Sequence, residues 1–161
     1  MAMLRSLLVL FILFSMGNAD GKQDIYLLFC EYFDKQCHYG WTNFGVQCYK
    51  FFSQSADWIT AERHCIDQHA NLASVHDELE NNFLMSLLPS TTRCWLGVHD
   101  GVQEGQWLWS DGTAYDYTNW CSNEPNNLNV ENCGEINWSS NRCWNDASCS
   151  TSMGYVCAKE L

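Results

Sequence analysis

The sequence predicts a disulfide-rich α+β domain, and three features of the chain indicate this fold class. Two stretches with the 3.6-residue periodicity of helices lie between residues 53 and 89. Short apolar and aromatic runs separated by turn residues precede and follow them. The 161 residues include 10 cysteines, a density that indicates disulfides in an oxidising compartment.

The first 19 residues match a secretory signal peptide. Arg5 provides the positive start, an unbroken apolar run ends at Phe14, and a cleavage point follows Ala19. This run is shorter than the about 20 residues that span a bilayer, which disfavours an uncleaved membrane anchor. We therefore expect a secreted, extracellular protein without membrane insertion. The expected parts are a signal peptide, an N-terminal arm and one domain, at residues 1–19, 20–36 and 37–161.

The chain is strongly acidic, which excludes several classes of partner and reaction. Its formal net charge is −11 at pH 7, so DNA, RNA and anionic lipid are not expected as partners. The histidines are scattered and the cysteines lack paired CxxC spacing, so a zinc enzyme is not expected. No nucleophile with an adjacent base emerges from the sequence, and we expect no catalytic activity.

The domain is expected to begin with a hairpin and a helix. The stretch CHYGWTNFGVQCYKF places two apolar runs around Gly45 and predicts a β-hairpin. Four residues then recur at helical spacing, and Ser53 or Ser55 is the expected N-cap of this helix. The four residues are Trp58, Ala61, Glu62 and Cys65.

A second helix is expected after a short extended link at residues 71–75. Ser74 or Asp77 is its expected N-cap, and Pro89 ends it because proline cannot continue the helical hydrogen bonds. The apolar face of this helix consists of Leu79, Phe83, Leu84, Leu87 and Leu88.

Short strands replace helices in the rest of the chain. CWLGV (94–98) and QWLWSDG (106–112) predict two strands, and two more are expected near residues 135–138 and 154–158. A long irregular stretch separates the two pairs and reaches Asn132. A structureless loop of this length inside a compact domain usually has a function.

Oxygen-bearing side chains are concentrated in this stretch and shortly after it. Three carboxylates and two carboxamides offer only oxygen acceptors, apart from the amide NH2 groups. The pattern is typical either of a solvated turn or of a site for a group that prefers oxygen ligands. For Glu-Pro-Asn alone, an ordinary turn is the simpler interpretation. The five residues are Glu124, Asn126, Glu131, Asn145 and Asp146.

Taken in order, the motifs of residues 37–161 resemble the C-type lectin domain family. They are CWLGV, WLWSDG, Glu124-Pro125-Asn126, ENC at Glu131, CWND at Cys143 and the terminal Cys157. The cysteine density and the DYTNWC and RCWND stretches are most similar to its secreted fish branch of ladderlectin-like and skin-mucus lectins and type II antifreeze proteins. The resemblance implies the C-type lectin fold, with two helices, antiparallel sheets and a long calcium- and sugar-binding loop.

The resemblance also implies four disulfides. They are Cys37–Cys48, Cys65–Cys157, Cys133–Cys149 and, by similarity to the antifreeze branch, Cys121–Cys143. Two cysteines remain, and two interpretations of them stay open. Cys30 and Cys94 pair with each other, or Cys30 links two chains, and we favour the disulfide-linked homodimer.

For the five oxygen-bearing residues, the resemblance implies a Ca²⁺ site in which the same five residues bind the sugar and Pro125 is cis. Glu-Pro-Asn implies a mannose-type lectin that recognises glycans on microbes or cells and agglutinates them in innate or mucosal defence. The alternatives are a galactose or lactose lectin with little calcium dependence and an ice-binding protein of the type II antifreeze kind.

Two further features of the sequence need a structural test. A second calcium site is implied to be weak or empty, because two of its positions carry Asn instead of Asp. Asn137-Trp138-Ser139 is an N-glycosylation sequon, and its position in a predicted strand disfavours occupancy. The second-site positions are Asp100, Glu104, Asn127, Glu131 and Asn132.

Overall fold

An antiparallel hairpin opens the part of the chain that this computed structural model describes, residues 36–90 and 92–161. Strands β1 (Thr42–Phe44) and β2 (Gln47–Ala56) pair with each other. Gly45 lies in the turn between them with a left-handed φ of 60°, a conformation that glycine adopts without steric cost. The Cys37–Cys48 disulfide closes the hairpin, and the predicted hairpin is confirmed.

Helix α1 (Trp58–Asp67) follows directly and buries the four residues whose spacing predicted it. Its N-cap is Asp57, whose carboxylate accepts a hydrogen bond from the backbone N–H of Thr60 at 2.9 Å. The predicted caps, Ser53 and Ser55, were wrong because β2 extends to Ala56 and includes both.

Helix α2 (Glu78–Leu87) is capped by Asp77, one of the two expected residues, which accepts from the backbone N–H of Glu80 at 2.7 Å. Its buried side chains are Asn81 and Leu84. Leu79 is 71% exposed, so its assignment to the apolar face was wrong. The polar side chain of Asn81 replaces it in the interior because it accepts a hydrogen bond from a buried indole, described below.

The strands form one mixed sheet in which β1, β2, β8, β4, β6 and β7 lie side by side in that order. β3 pairs with β8, and β5 pairs with β4. The β4–β8 pair is parallel, whereas the other pairs are antiparallel. The remaining strands are β3 (Asn71–Leu72), β4 (Cys94–His99), β5 (Leu108–Trp109), β6 (Cys133–Trp138), β7 (Cys143–Ala147) and β8 (Met153–Glu160).

Two sequence expectations about strands need correction. The aromatic run at 106–112 contributes only the two residues of β5, since turns flank it on both sides. Strand β7 was not expected, because all five of its residues are buried and its sequence, CWNDA, lacks the alternation that marks a half-buried strand.

Four disulfides join these elements, in the pairs that the family resemblance implied. Cys65–Cys157 ties α1 to β8 across a sequence separation of 92, and closing such a loop contributes about 4–5 kcal/mol in the chain-entropy model. Cys94 carries a free thiol that is fully buried. Burial, with a smaller effect of the Glu135 charge, raises the pKa of this thiol to about 12. Cys94 forms no disulfide with another cysteine of the described residues. Its expected partner, Cys30, lies outside the described residues together with the predicted signal peptide.

Residues 37–161 form a compact unit, and nothing in the described residues supports a homodimer. No helix in the described part of the chain is both long and apolar enough to cross a membrane.

We predict that Gly97→Ala destabilises the domain by about 1–3 kcal/mol, because an added methyl group has no room in β4. A Cβ at this position would lie 2.6 Å from the backbone oxygen of Leu72 and 2.8 Å from Oγ of Ser110. Urea unfolding measures the change. Gly101→Ala is the control, since its nearest atom would be Cβ of Asn132 at 3.9 Å; equal stability losses in both variants would contradict the prediction.

Candidate functional site

The long loop between β5 and β6 is fastened along β7. The backbone N–H of Cys121 donates to the carbonyl of Trp144 at 2.9 Å, and the N–H of Trp144 donates to the carbonyl of Asn119 at 2.8 Å. The Cys121–Cys143 disulfide joins the same two segments. A second disulfide, Cys133–Cys149, holds the strand that follows the loop. The loop residues therefore keep their place through covalent and backbone bonds.

The five oxygen-bearing residues come together where the loop meets β7. Asn126 and Asn127 donate their backbone N–H groups to the two carboxylate oxygens of Asp146, at 3.0 and 2.6 Å. The N–H of Leu128 donates to Oδ1 of Asn126 at 2.8 Å and to Oε2 of Glu131 at 3.2 Å. Asn145 precedes Asp146 on β7, and the Glu124–Pro125 peptide bond is cis.

Three carboxylates in this place oppose one another electrostatically. Burial and then the neighbouring Asp146 and Glu131 carboxylates raise the pKa of Glu124. Burial and the Asp146 carboxylate likewise raise the pKa of Glu131. No ion pair to Lys, Arg or His engages any of the three within residues 36–90 and 92–161. The three carboxylates therefore lie close together without an ion-pair partner.

The donor set fits a Ca²⁺ ion in its chemistry. Calcium takes six to eight oxygens from carboxylates, carboxamides and carbonyls, and Glu124 presents a buried Oε2 that has no hydrogen-bond partner. Among the described residues, no three His, Cys, Asp or Glu side chains form a group that could by itself hold a metal ion. Carboxamide oxygens are thus needed in the donor set, and the Asp146 carboxylate is occupied by loop N–H groups in this arrangement.

The residues expected at a second calcium site also lie close together. Asn127 donates from Nδ2 to Glu104 at 2.7 Å and accepts from the N–H of Glu131 at 2.8 Å. The N–H of Asp100 donates to the carbonyl of Asn132 at 3.1 Å. Oδ1 of Asp100 and Oδ1 of Asn132 are buried without a partner. Burial and the nearby Asp100 carboxylate raise the pKa of Glu104.

Sequence reasoning missed two residues behind the site, Arg93 and Glu135. Glu135 lies opposite Asn145 in the β6–β7 register and accepts from its Nδ2 at 2.8 Å. Arg93 donates to both oxygens of Glu135, from Nε and Nη2, each at 2.6 Å. The available signal was an acid inside the apolar strand CGEINW, since a buried charge requires a partner.

The sequon asparagine is part of the interior. Asn137 is 3% exposed and has a left-handed φ of 70°, which asparagine tolerates better than most residues. Its Nδ2 donates to the carbonyls of Pro89 and Thr92, at 3.1 and 2.7 Å. Its Oδ1 accepts from Nε of Arg142 at 2.7 Å. The side-chain nitrogen that would carry a glycan is thus occupied by two hydrogen bonds in the interior.

We predict that the protein carries no glycan at Asn137 when it is exported from eukaryotic cells, because a glycan would remove a hydrogen bond that holds the chain after α2. Intact-mass measurement after expression in eukaryotic cells checks this. Ser53→Asn is the positive control, because it creates an Asn-Gln-Ser sequon at an exposed position of β2. A glycan at Asn137 in the folded, secreted protein would refute the prediction.

The fold, the disulfides and the ligand-bearing loop together define a class of protein. Residues 54–159 match the family model for the lectin C-type domain, and the chain belongs to this family. C-type lectin domains are non-enzymatic carbohydrate-binding modules.

Within this family, the chain is similar to proteins with different stated activities. It is 44% identical to ladderlectin of Oncorhynchus mykiss over 73% of this chain, and the match spans 65% of ladderlectin, slightly less than two thirds of its length. It is 38% identical to the galactose-specific lectin nattectin of Thalassophryne nattereri, over 78% of this chain and 81% of nattectin. It is 32% identical to the type-2 ice-structuring protein of Hemitripterus americanus, over 76% and 74% of the two chains.

Solved structures of relatives have the same fold. The herring type II antifreeze protein superimposes with a TM-score of 0.75 at 32% identity, covering 78% of this chain and 99% of its own. The carbohydrate-recognition domain of cow CD23, solved in the presence of a GlcNAc2Man3 oligosaccharide, gives a TM-score of 0.74 at 32% identity, covering 79% and 98%.

Proposed function

We propose that this chain is a secreted, calcium-dependent lectin of the mannose type. The observation that supports it best is the cluster of Glu124, Glu131 and Asp146, three carboxylates that form no ion pair with Lys, Arg or His in the described residues. Burial and the Asp146 charge raise the pKa of Glu124 and of Glu131. A divalent cation would compensate this charge. Extracellular location is supported by the four disulfides, since such bonds persist in oxidising compartments.

The five ligand residues have distinct tasks in this proposal. Glu124, Glu131 and Asp146 hold the cation by charge, and Asn126 and Asn145 add neutral carboxamide oxygens. When bound, Ca²⁺ would offer coordination positions to two neighbouring hydroxyls of a sugar. The same carboxylates accept hydrogen bonds from these hydroxyls, because an ionised carboxylate has lone pairs to spare.

Mannose-type specificity rests on the order of Glu124 and Asn126 around Pro125. In the C-type lectin family, this order suits the equatorial 3- and 4-hydroxyls of mannose, whereas the reverse arrangement, Gln-Pro-Asp, goes with galactose. The nattectin relative is named as galactose-specific, which makes galactose the competing ligand to test. Ice is the third candidate, because ice-structuring relatives share this domain.

The proposed biological role is recognition of microbial or cell-surface glycans in innate or mucosal defence. Agglutination requires at least two linked sugar sites in one protein molecule or oligomer. Retention of single molecules on a sugar matrix therefore tests recognition by itself, and clumping of cells tests recognition together with assembly.

We predict that the protein is retained on mannose-agarose in calcium and eluted by EDTA. Glu124→Gln combined with Asn126→Asp should abolish mannose retention and increase galactose retention, because the carboxylate and carboxamide exchange places. Asp67→Asn, an exposed change on α1, is the control and should behave as the parent protein does.

Three results would contradict this proposal in different ways. Lactose-competed retention that survives EDTA would indicate a galactose lectin with little calcium dependence. Shaped ice crystals without retention on either sugar would indicate ice binding. Calcium-dependent retention that is unchanged by the double substitution would move recognition away from Glu124 and Asn126.

A further inference from the structure

We propose that Arg93 and Glu135 form a positioning pair that orients the carboxamide of Asn145, so that its oxygen is presented to the cation. The inference rests on the proposed calcium function and adds to it two residues that bind neither metal nor sugar. It starts from the β6–β7 register, in which Glu135 and Asn145 are directly opposite, so that their side chains can interact across the strands.

The orientation of the Asn145 side chain follows from its neighbours. One atom of its amide group contacts Oε1 of Glu135 at 2.8 Å and the carbonyl oxygen of Asp146. A carboxylate and a backbone carbonyl can only accept hydrogen bonds, so this atom must be the NH2 nitrogen. Oδ1 therefore lies on the other branch of the amide group and remains available as a ligand.

Glu135 can impose this orientation only while its own charge is compensated. The residue is fully buried, and an unpaired buried carboxylate is strongly destabilising. Arg93 supplies two charge-assisted hydrogen bonds in a fork geometry, each at 2.6 Å. The guanidinium also lies 4.4 Å from the ring centre of Trp138, which restrains it from the other side.

The chain segment that carries Arg93 is fixed as well. Asn137 of β6 donates to the carbonyls of Pro89 and Thr92 and so holds the backbone of this segment. Glu135, two residues earlier on the same strand, accepts the hydrogen bonds from Arg93. A contact chain therefore runs from Arg93 through Glu135 to Asn145. Partners of this kind, one step removed from a metal, typically change metal affinity by about 10–100-fold when they are mutated.

The test compares calcium affinities, measured by isothermal titration calorimetry, with unfolding temperatures in EDTA. Glu135→Gln and Arg93→Met should each weaken calcium binding by about 10–100-fold. Glutamine can present either NH2 or oxygen to Asn145, so the amide orientation is no longer imposed. Arg93→Lys keeps the charge but loses the fork, and its affinity should lie between those of the parent and Arg93→Met.

Lys159→Met is the matched control. Lys159 also donates a side-chain hydrogen bond, to the carbonyl of Gln68 at 3.2 Å, and its ammonium group lies 4.3 Å from the ring centre of Trp41. It has no hydrogen bond to Glu135, Asn137 or Asn145 in the described residues, so its loss should leave calcium affinity unchanged. Folded Arg93→Met and Glu135→Gln proteins with parental calcium affinity would overturn the inference, as would a Lys159→Met protein that loses affinity equally.

A spectroscopic measurement separates this inference from the proposed function. In the calcium-free parent, the NH2 protons of Asn145 should exchange slowly with water in NMR spectra, unlike those of the exposed Asn82. Glu135→Gln should remove this protection. Fast exchange at Asn145 in the parent would overturn the positioning role even if calcium binds. Protected Asn145 protons without any calcium binding would instead refute the proposed function and, with it, the presentation of Oδ1 to a cation.

Discussion

The burial of Trp144 is the interaction on which the arrangement of this domain depends. Its indole is fully buried and packs edge-on against Trp109, Tyr117 and Trp120, with ring centres 5.7–5.8 Å apart. Its Nε1 donates to Asn81 of α2 at 2.9 Å. One side chain thus joins the second helix, the long loop and strand β7. Because Asn145 and Asp146 follow it in the chain, the same contact determines where the ligand side chains lie.

Backbone N–H groups of the loop contact the buried carboxylate of the ligand cluster. Asp146 is fully buried, and its two carboxylate oxygens accept hydrogen bonds from the backbone N–H groups of Asn126 and Asn127. These two hydrogen bonds tie the loop to β7. Asparagine recurs at its left-handed positions, with φ of 71° at Asn123, 48° at Asn127 and 62° at Asn129, which is the residue type that tolerates this conformation best after glycine.

Local sequence patterns predicted the hairpin at Gly45 and the buried face of α1, because both depend on residues within a few positions of one another. The five oxygen-bearing residues were also visible as a group. Three features were not predictable in this way. Strand β7 is buried on both faces and loses its alternation, the cap at Asp57 depends on how far β2 extends, and the Arg93–Glu135 pair joins residues 42 positions apart. Each is decided by tertiary contacts, which periodicity does not encode.

The attachment of the loop to the sheet affects how freely its exposed side chains can be replaced. Both ends of the loop leave strands that pair with β4, and two disulfides hold its path and the strand that follows. Exposed loop side chains such as Leu128 can therefore be replaced without removing a core contact. Selection can exchange one surface for another without first re-establishing stability. A relative named for galactose and relatives named for ice share this framework.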